Sequence, residues 1–380
     1  MDMLVLDDGW FGDRRDDRRA LGDWYANEKK LPGGLGPLIR KITGMGLSFG
    51  LWVEPEMVSE DSDLYRAHPD WALTVPGRPP VMGRDQLVLD LARKEVADWL
   101  YDTLSALLRE NDISYIKWDA NRHLADLYSR ALPPERQGET AHRYMLGLYS
   151  VLERLTRDFP QVLFEGCSGG GGRFDAGMLA YFPQIWCSDN TDPICRLTIQ
   201  EGTSFGYPAA VSANHVSASP NHQTGRTTPL GTRFTVAMAG VFGYELSPAA
   251  LSEEEKAEIR SQIARYREWE PLVRNGDYYR LAVEGDGGMK AWMFVSEDKT
   301  EALLSVVATE ATANPRPAHL RLKGLDPKGR YRLAESRFCG CGARMPVSEY
   351  SAAALMFPGL TLPPMPGDNP SAQFFFRRMA

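Results

Sequence analysis

A chain of 380 residues is long enough for one large domain with a smaller one, and for a substantial core. Its charged and apolar fractions are ordinary for a soluble globular protein, and a formal net charge of −7 favours neither nucleic acid nor an anionic membrane as partner. No apolar run is long enough to cross a bilayer, so a neutral or weakly polar ligand is the simpler expectation.

In chain order, Met3–Asp7 reads at once as a strand, without the layout of a signal peptide. Short β-rich runs follow at Phe49–Glu54, Tyr115–Asp119, Val162–Cys167, Ile185–Asp189, Ala209–Asn214 and Val241–Leu246, with helical stretches between them. Over Lys94–Arg109, Val96, Leu100, Leu104 and Leu107 share one helix face. S-E-E-E from Ser252 predicts a capping box, with Ile259, Ile263 and Tyr266 continuing a buried stripe. Strand-then-helix repetition predicts an α/β fold with a parallel sheet and helical crossovers. Several strands end in a polar or charged residue: Asp7-Asp8, Glu54, Asp119, Glu165-Gly166-Cys167, Asp189 and Asn214-His215. A closed (β/α)8 TIM-type barrel brings such ends to one rim, which favours it over an open sheet. Seven strands are clear. Gln86–Leu91 is either an eighth or an excursion in the loop after the Phe49 strand.

From about Asn275 the pattern changes to alternating β-type runs with Gly and Pro turns, at Tyr278–Val283, Lys290–Ser296, Ala302–Ala308, Ala318–Leu322, Tyr331–Ala334 and Ala372–Phe376. The expected organisation is therefore a catalytic barrel over 1–275 and a small antiparallel β-domain over 276–380. Five cysteines, Cys167, Cys187, Cys195, Cys339 and Cys341, form an odd and sparse set. Together with the missing secretory layout they read as a reduced, cytoplasmic protein, and the lone C-G-C lacks the second half of a zinc site.

Three segments carry candidate chemistry. In I-K-W-D-A-N-R at 116–122, Lys117 and Asp119 are two apart on a strand and so share a face. A nearby ammonium favours an ionised carboxylate, suited to attack on a sugar carbon, although a structural Lys–Asp pair has the same signature. In I-W-C-S-D-N-T-D at 185–192, Asp189 suits protonation of a leaving oxygen if Trp186 supplies an apolar wall; the alternative is that Asp189 or Asp192 caps the following helix. Asp7 and Asp8, beside Trp10, suit either sugar hydroxyls or a divalent metal, and the segment has too few ligands for the metal. The glycine-rich run after Glu165-Gly166-Cys167-Ser168 lacks the Gly-Lys-Ser/Thr ending of a nucleotide loop, and its glycines fit close backbone approach to a ligand. His215 and His222 read as rim or capping groups.

In this order the segments resemble the retaining α-galactosidases of glycoside hydrolase family 36. The matching stretches are L-D-D-G-W-F-G at 6–12, G-D-W at 22–24, G-L-W-V-E-P-E-M-V at 50–58, G-R-D-Q-L-V-L-D-L at 83–91 and Y-I-K-W-D-A-N-R at 115–122. They continue with C-S-G-G-G-G-R-F-D at 167–175, W-C-S-D-N-T-D at 186–192, P-N-H-Q-T-G-R at 220–226 and F-G-Y-E-L at 242–246. The resemblance implies Asp119 as nucleophile, Asp189 as acid/base, and Asp7 and Asp8 as binders of the outer galactose hydroxyls. It also implies Trp52, Arg84, Lys117, Asn121 and Cys167 as further pocket positions. The implied reaction is double displacement with retention on terminal α-linked galactose, mainly α-1,6 as in melibiose and raffinose, without metal or organic cofactor.

Family members usually carry an N-terminal β-sandwich and a first barrel strand with an N-x-W-E type motif. This sequence starts at what would be the second strand, so the expectation is a barrel short of its first βα unit and an N-terminally truncated chain. The implied partner is an oligosaccharide, with neither nucleic acid nor membrane, and full-length relatives form homo-oligomers. Ala120 and Cys187, where relatives often have Thr at the latter, depart from the pattern beside the catalytic positions. Competing readings are a raffinose-synthase-type galactosyl transferase, an inactive truncated protein, and a metal-dependent barrel enzyme.

Overall fold

The computed structural model describes residues 1–284, 288–311, 313–314 and 317–379. The chain divides into two compact units, Met1–Ile185 and Trp186–Ala380.

The first unit alternates strand and helix: β1 (Met3–Leu6), α1 (Leu35–Thr43), β2 (Ser48–Val53), β3 (Met57–Val58), α2 (Asp63–Ala67), β4 (Leu87–Val88), α3 (Lys94–Glu110), β5 (Tyr115–Trp118), α4 (Thr140–Asp158), β6 (Leu163–Gly166), α5 (Ala176–Leu179) and the start of β7 (Gln184–Trp186). Strands β1, β2, β5, β6 and β7 pair in that order, all parallel, as β-α-β crossovers require. The strand ends foreseen from sequence fall within three residues of the observed ones. The stripe of α3 is as expected: Val96, Leu100, Leu104 and Leu107 are all buried. Burial of each such side chain is worth about 1.5–3 kcal/mol.

Gln86–Leu91 is not a barrel strand. Only Leu87 and Val88 form a ladder, antiparallel to Met57 and Val58 in the loop after β2. Neighbouring backbone groups are satisfied within the same excursion, Leu73 donating to Val88 and Leu89 to Glu56. With its hydrogen bonds spent locally, the segment has none to offer a parallel neighbour.

The second unit continues with α6 (Pro193–Thr203), β8 (Ser212–Ser217), α7 (Leu230–Ala237), β9 (Val241–Glu245) and α8 (Glu253–Asn275). The run expected as a strand from Ala209 starts instead as a 3-10 turn at Ala209–Val211, and β8 runs parallel to β9. Helix α8 has the foreseen capping box, Ser252 and Glu255 each accepting the other's backbone N–H. Its stripe is shifted: Ile259, Ile263 and Tyr266 are half-buried, while Gln262, Trp269, Leu272 and Val273 are buried.

After Gly276 the chain becomes antiparallel: β10 (Asp277–Leu281), β11 (Val283–Glu284), β12 (Met289–Val295), β13 (Glu301–Ala308), β14 (Ala318–Leu320), β15 (Arg330–Cys339), β16 (Glu349–Ser351), α9 (Ala352–Met356), β17 (Leu360–Leu362) and β18 (Ser371–Arg378). They form a sheet in the order β10-β12-β13-β18-β15-β16 and a smaller one, β11-β14-β17. β16 and β17 were not foreseen; each is only three residues long, too short for a period-two pattern to register. Parallel β/α structure of the barrel class is thus followed by an antiparallel β-domain.

Candidate active site

Register decides what meets at the carboxyl end of the first unit's sheet. Trp52 lies opposite Lys117 and Lys117 opposite Glu165; one step on, Val53, Trp118 and Gly166 align. The next residues, Glu54, Asp119 and Cys167, therefore leave the sheet side by side. Side-chain alternation sets Glu54 on the face of Trp52 and Asp119 on the face of Lys117. The backbone ladder extends into this row, Asp119 donating its N–H to Val53 at 2.8 Å and Cys167 to Trp118 at 2.7 Å.

Asp119 is only 6% exposed, and its carboxylate accepts four hydrogen bonds. Oδ1 takes the backbone N–H of Ala120 at 2.8 Å and of Gly169 at 3.3 Å. Oδ2 takes the amide of Asn121 at 2.7 Å and the indole N–H of Trp52 at 3.3 Å. Such donors fix the direction in which the carboxylate points. Gly169 reaches in because its backbone is left-handed at φ +53°, so the glycines that looked suited to close approach bring an N–H to a carboxylate of the chain itself.

Local spacing predicts Lys117 beside Asp119. In the structure the Lys117 ammonium stands 3.2 Å from Asp7 Oδ2. Asp7 is exposed, and Asp8 is gripped by the buried Arg14 through both carboxylate oxygens, at 2.8 to 3.2 Å. Arg14 is in turn set by the Arg19 carbonyl. Trp52, expected to line a pocket, is buried in an aromatic cluster with Phe11 and Trp24, so its contribution to the site is its N–H. Arg84 is exposed on a tight turn where it and Asp85 both adopt φ +53°, flanked by the paired Gly83 and Gln86. Cys167 is buried, and burial together with the charge of Asp119 pushes its thiol well above its ordinary range. Asp7, Trp52, Lys117, Asp119, Asn121 and Cys167 are thus gathered at one end of one sheet.

Two further acids stand here, one marked in the sequence only as a strand end and the other by no local pattern. Glu54 is buried beside Asp119, accepting the Asn121 backbone N–H at 2.6 Å and the Gln86 amide at 3.2 Å. Burial first, and then the charge of Asp119, push its carboxyl up to about 7. Glu56, fully buried, accepts both terminal nitrogens of Arg173 at 3.0 and 2.8 Å, the Trp118 indole at 2.7 Å and the Tyr144 hydroxyl. It ties the glycine-rich loop to the strand that carries Asp119. A bidentate Arg–carboxylate pair 117 residues apart leaves no local pattern to detect.

Asp189 lies in the second unit, exposed, with Oδ1 accepting the Trp186 indole N–H at 3.0 Å. Trp186 thus meets it as a hydrogen-bond donor, where an apolar wall was expected. The capping ambiguity is resolved. Asp192, not Asp189, caps α6, taking the N–H groups of Ile194 and Cys195 at 2.8 and 3.2 Å, with Thr224 and Arg226 on its other oxygen. Burial alone would raise the Asp192 carboxyl, but these donors hold it below the usual range. The loop bearing Asp189 is clamped by the buried Arg196, which donates to the carbonyls of Ser188 and Asn190 and lies 4.4 Å from the Trp186 ring. No group of three or more His, Cys, Asp or Glu side chains among the described residues is arranged to hold a metal ion.

The melibiase model matches residues 1–276, and the glycosyl hydrolase family 36 C-terminal domain model matches 289–376. Alpha-galactosidase AgaA of Geobacillus stearothermophilus is 53% identical over 363 residues, 96% of this chain and 48% of that protein. The bifunctional alpha-galactosidase/sucrose kinase AgaSK of Mediterraneibacter gnavus is 50% identical over 379 residues, 100% of this chain and 39% of that protein. The crystal structure of AgaA superposes with a TM-score of 0.94 at 51% identity, covering 100% of this chain and 51% of its own. The same score and coverage hold for an AgaA variant in complex with raffinose. The chain spans about half the length of AgaA.

Proposed function

The chain belongs to the melibiase family, and from that premise we propose that it is the catalytic part of a retaining α-galactosidase, with Asp119 as nucleophile and Asp189 as acid/base. The observation that carries the reading is the four-donor hold on Asp119, a buried carboxyl group fixed in orientation at the carboxyl end of a parallel sheet. In the first step an Asp119 oxygen bonds to the anomeric carbon as the glycosidic C–O bond breaks, and Asp189 gives its proton to the departing oxygen. In the second, water attacks the same carbon, Asp189 takes the water's proton, and Asp119 leaves as carboxylate. Asp7 and Asp8, Trp52, Arg84, Lys117, Asn121 and Cys167 are assigned to binding or shaping the galactose site.

Relatives support the substrate class. AgaA has been captured with raffinose and with stachyose, in variants each altered at a different aspartate. Those two aspartates are separated in AgaA by the same number of residues as Asp119 and Asp189 here. The substrates assigned are oligosaccharides with terminal α-linked galactose, mainly α-1,6. Release of an aryl leaving group from an aryl α-galactoside tests the reading. Asp119→Ala is expected to lower kcat/KM by roughly three orders of magnitude or more, the scale of losing a nucleophile. Equal rates for Asp119→Ala and the unaltered chain sink the assignment.

A further inference from the structure

Glu54 stands next to Asp119 in the row that leaves the sheet, because Val53 and Trp118 are in register and both chains turn out of the ladder at the next residue. Two carboxyl groups on adjacent strands, both nearly sealed from water, oppose each other unless something mediates. Asn121 does so. Its backbone N–H donates to Glu54 Oε1 at 2.6 Å while its side-chain amide donates to Asp119 Oδ2 at 2.7 Å. One residue thus bridges both acids, and Glu54 sets the position from which it reaches Asp119.

Gln86 also donates its amide to Glu54 Oε2, the side chain of Asn121 bears on the same carboxyl, and the charge of Arg84 acts on it from the turn before Gln86. Gln86 Oε1 is itself buried without a hydrogen-bond partner. Its amide therefore has an acceptor to present to Glu54 whenever Glu54 carries a proton.

Resting on the proposed role of Asp119, we propose that Glu54 is a positioning residue for the nucleophile: it sets Asn121, and its proton occupancy follows the charge on Asp119. While Asp119 is a carboxylate, the like charge beside it favours a protonated Glu54. When Asp119 becomes a neutral ester, that opposition ends and, although burial still favours the acid form, the balance at Glu54 moves towards the carboxylate, its proton passing to solvent. Hydrolysis restores the charge on Asp119, and Glu54 takes a proton back.

Glu54→Gln tests this with little change of shape. The new amide keeps an oxygen for the Asn121 N–H, and Gln86 has an unused Oε1 to meet its nitrogen. In chain labelled with 15N-asparagine, the Asn121 amide shift is expected to titrate with a midpoint near 7. Glu54→Gln abolishes that titration, and Asp119→Asn lowers its midpoint by roughly one unit, the scale of removing an adjacent like charge. On an aryl α-galactoside, Glu54→Gln lowers kcat about tenfold with KM changed less than about twofold, because the amide holds Asn121 but cannot change charge as Asp119 does.

A titration that persists in Glu54→Gln, or a midpoint that Asp119→Asn leaves in place, overturns the inference. So does an unchanged kcat where the unaltered chain is active. The amide titration uses no sugar, so failure of the α-galactosidase reading, seen as equal rates with and without Asp119, is distinguishable from failure of the Glu54 assignment.

Discussion

The Glu56–Arg173 cluster gives the sharpest stability prediction. Glu56→Ala leaves the Arg173 guanidinium, only 20% exposed, without its bidentate partner. It also strands the Trp118 indole N–H and the Tyr144 hydroxyl, both fully or nearly fully buried. Breaking a buried ion pair from one side costs about 3–5 kcal/mol. Each stranded donor adds about 1–3 kcal/mol, less where the cavity left by the deletion admits water. Partial exposure of Arg173 argues for the lower end of the first figure, and the sum settles at about 5 kcal/mol. A typical domain has about 5–15 kcal/mol in all, so the loss is a large share of the total. Urea unfolding at neutral pH, followed by tryptophan fluorescence, reads this as a fall in the midpoint at constant slope. The double change Glu56→Leu with Arg173→Met, which removes both charges, is expected to be more stable than Glu56→Ala. A cost below about 1.5 kcal/mol for Glu56→Ala, or a double variant less stable than the single one, refutes the view that this pair and its two donors act as one buried unit.

The remaining predictions concern single contacts. Asp192→Asn weakens the cap of α6 and its link to Arg226, costing about 1–2 kcal/mol near neutral pH. Because the folded-state carboxyl is held below its unfolded value of 3.8, that contribution is present above about pH 4 and fades as pH falls through the folded value. Thermal melts of the two proteins should therefore converge in acid, and a gap that widens on acidification contradicts the sign. Trp52→Phe keeps the ring in its aromatic cluster but removes a long charge-assisted hydrogen bond to Asp119; kcat on an aryl α-galactoside should fall about tenfold. An unaltered kcat would show that the indole serves packing alone.

Much of the fold was legible because the strands of the first unit announce themselves twice, by a short apolar run and by the polar residue that follows it; β8 does not, since Asn214 and His215, expected at its end, lie inside Ser212–Ser217. That second mark also located the rim, since Asp7, Glu54, Asp119 and Cys167 all fall where their strands stop. Pairing was not legible. Lys117 and Asp119 share a face by local spacing, but the contact between Lys117 and Asp7 joins strands with another strand between them in sheet order, which no local period reports. Glu54 was visible as a strand end and not as the neighbour of Asp119, because register between strands is set by the whole sheet. The α8 stripe was misplaced for a related reason. A helix reading looks for apolar residues, whereas Gln262 is buried through bonds to Tyr244 and Glu258. The sequence leaves both Asp189 and Asp192 open as caps, and the hydrogen bonds that Asp192 accepts from Ile194 and Cys195 decide between them.

The unequal donors on the two oxygens of Asp119 bear on the second half of the proposed reaction. Oδ1 is held by backbone N–H groups of Ala120 and Gly169, which do not swing away, and Oδ2 by side chains. If the ester forms through Oδ2, its carbonyl oxygen stays in the two backbone N–H groups. Developing negative charge on that oxygen is then stabilised as the carboxylate departs. On the proposed mechanism this geometry would make Asp119 a better leaving group, and the lifetime of the covalent intermediate would then depend on a backbone N–H of Gly169, a residue without a side chain.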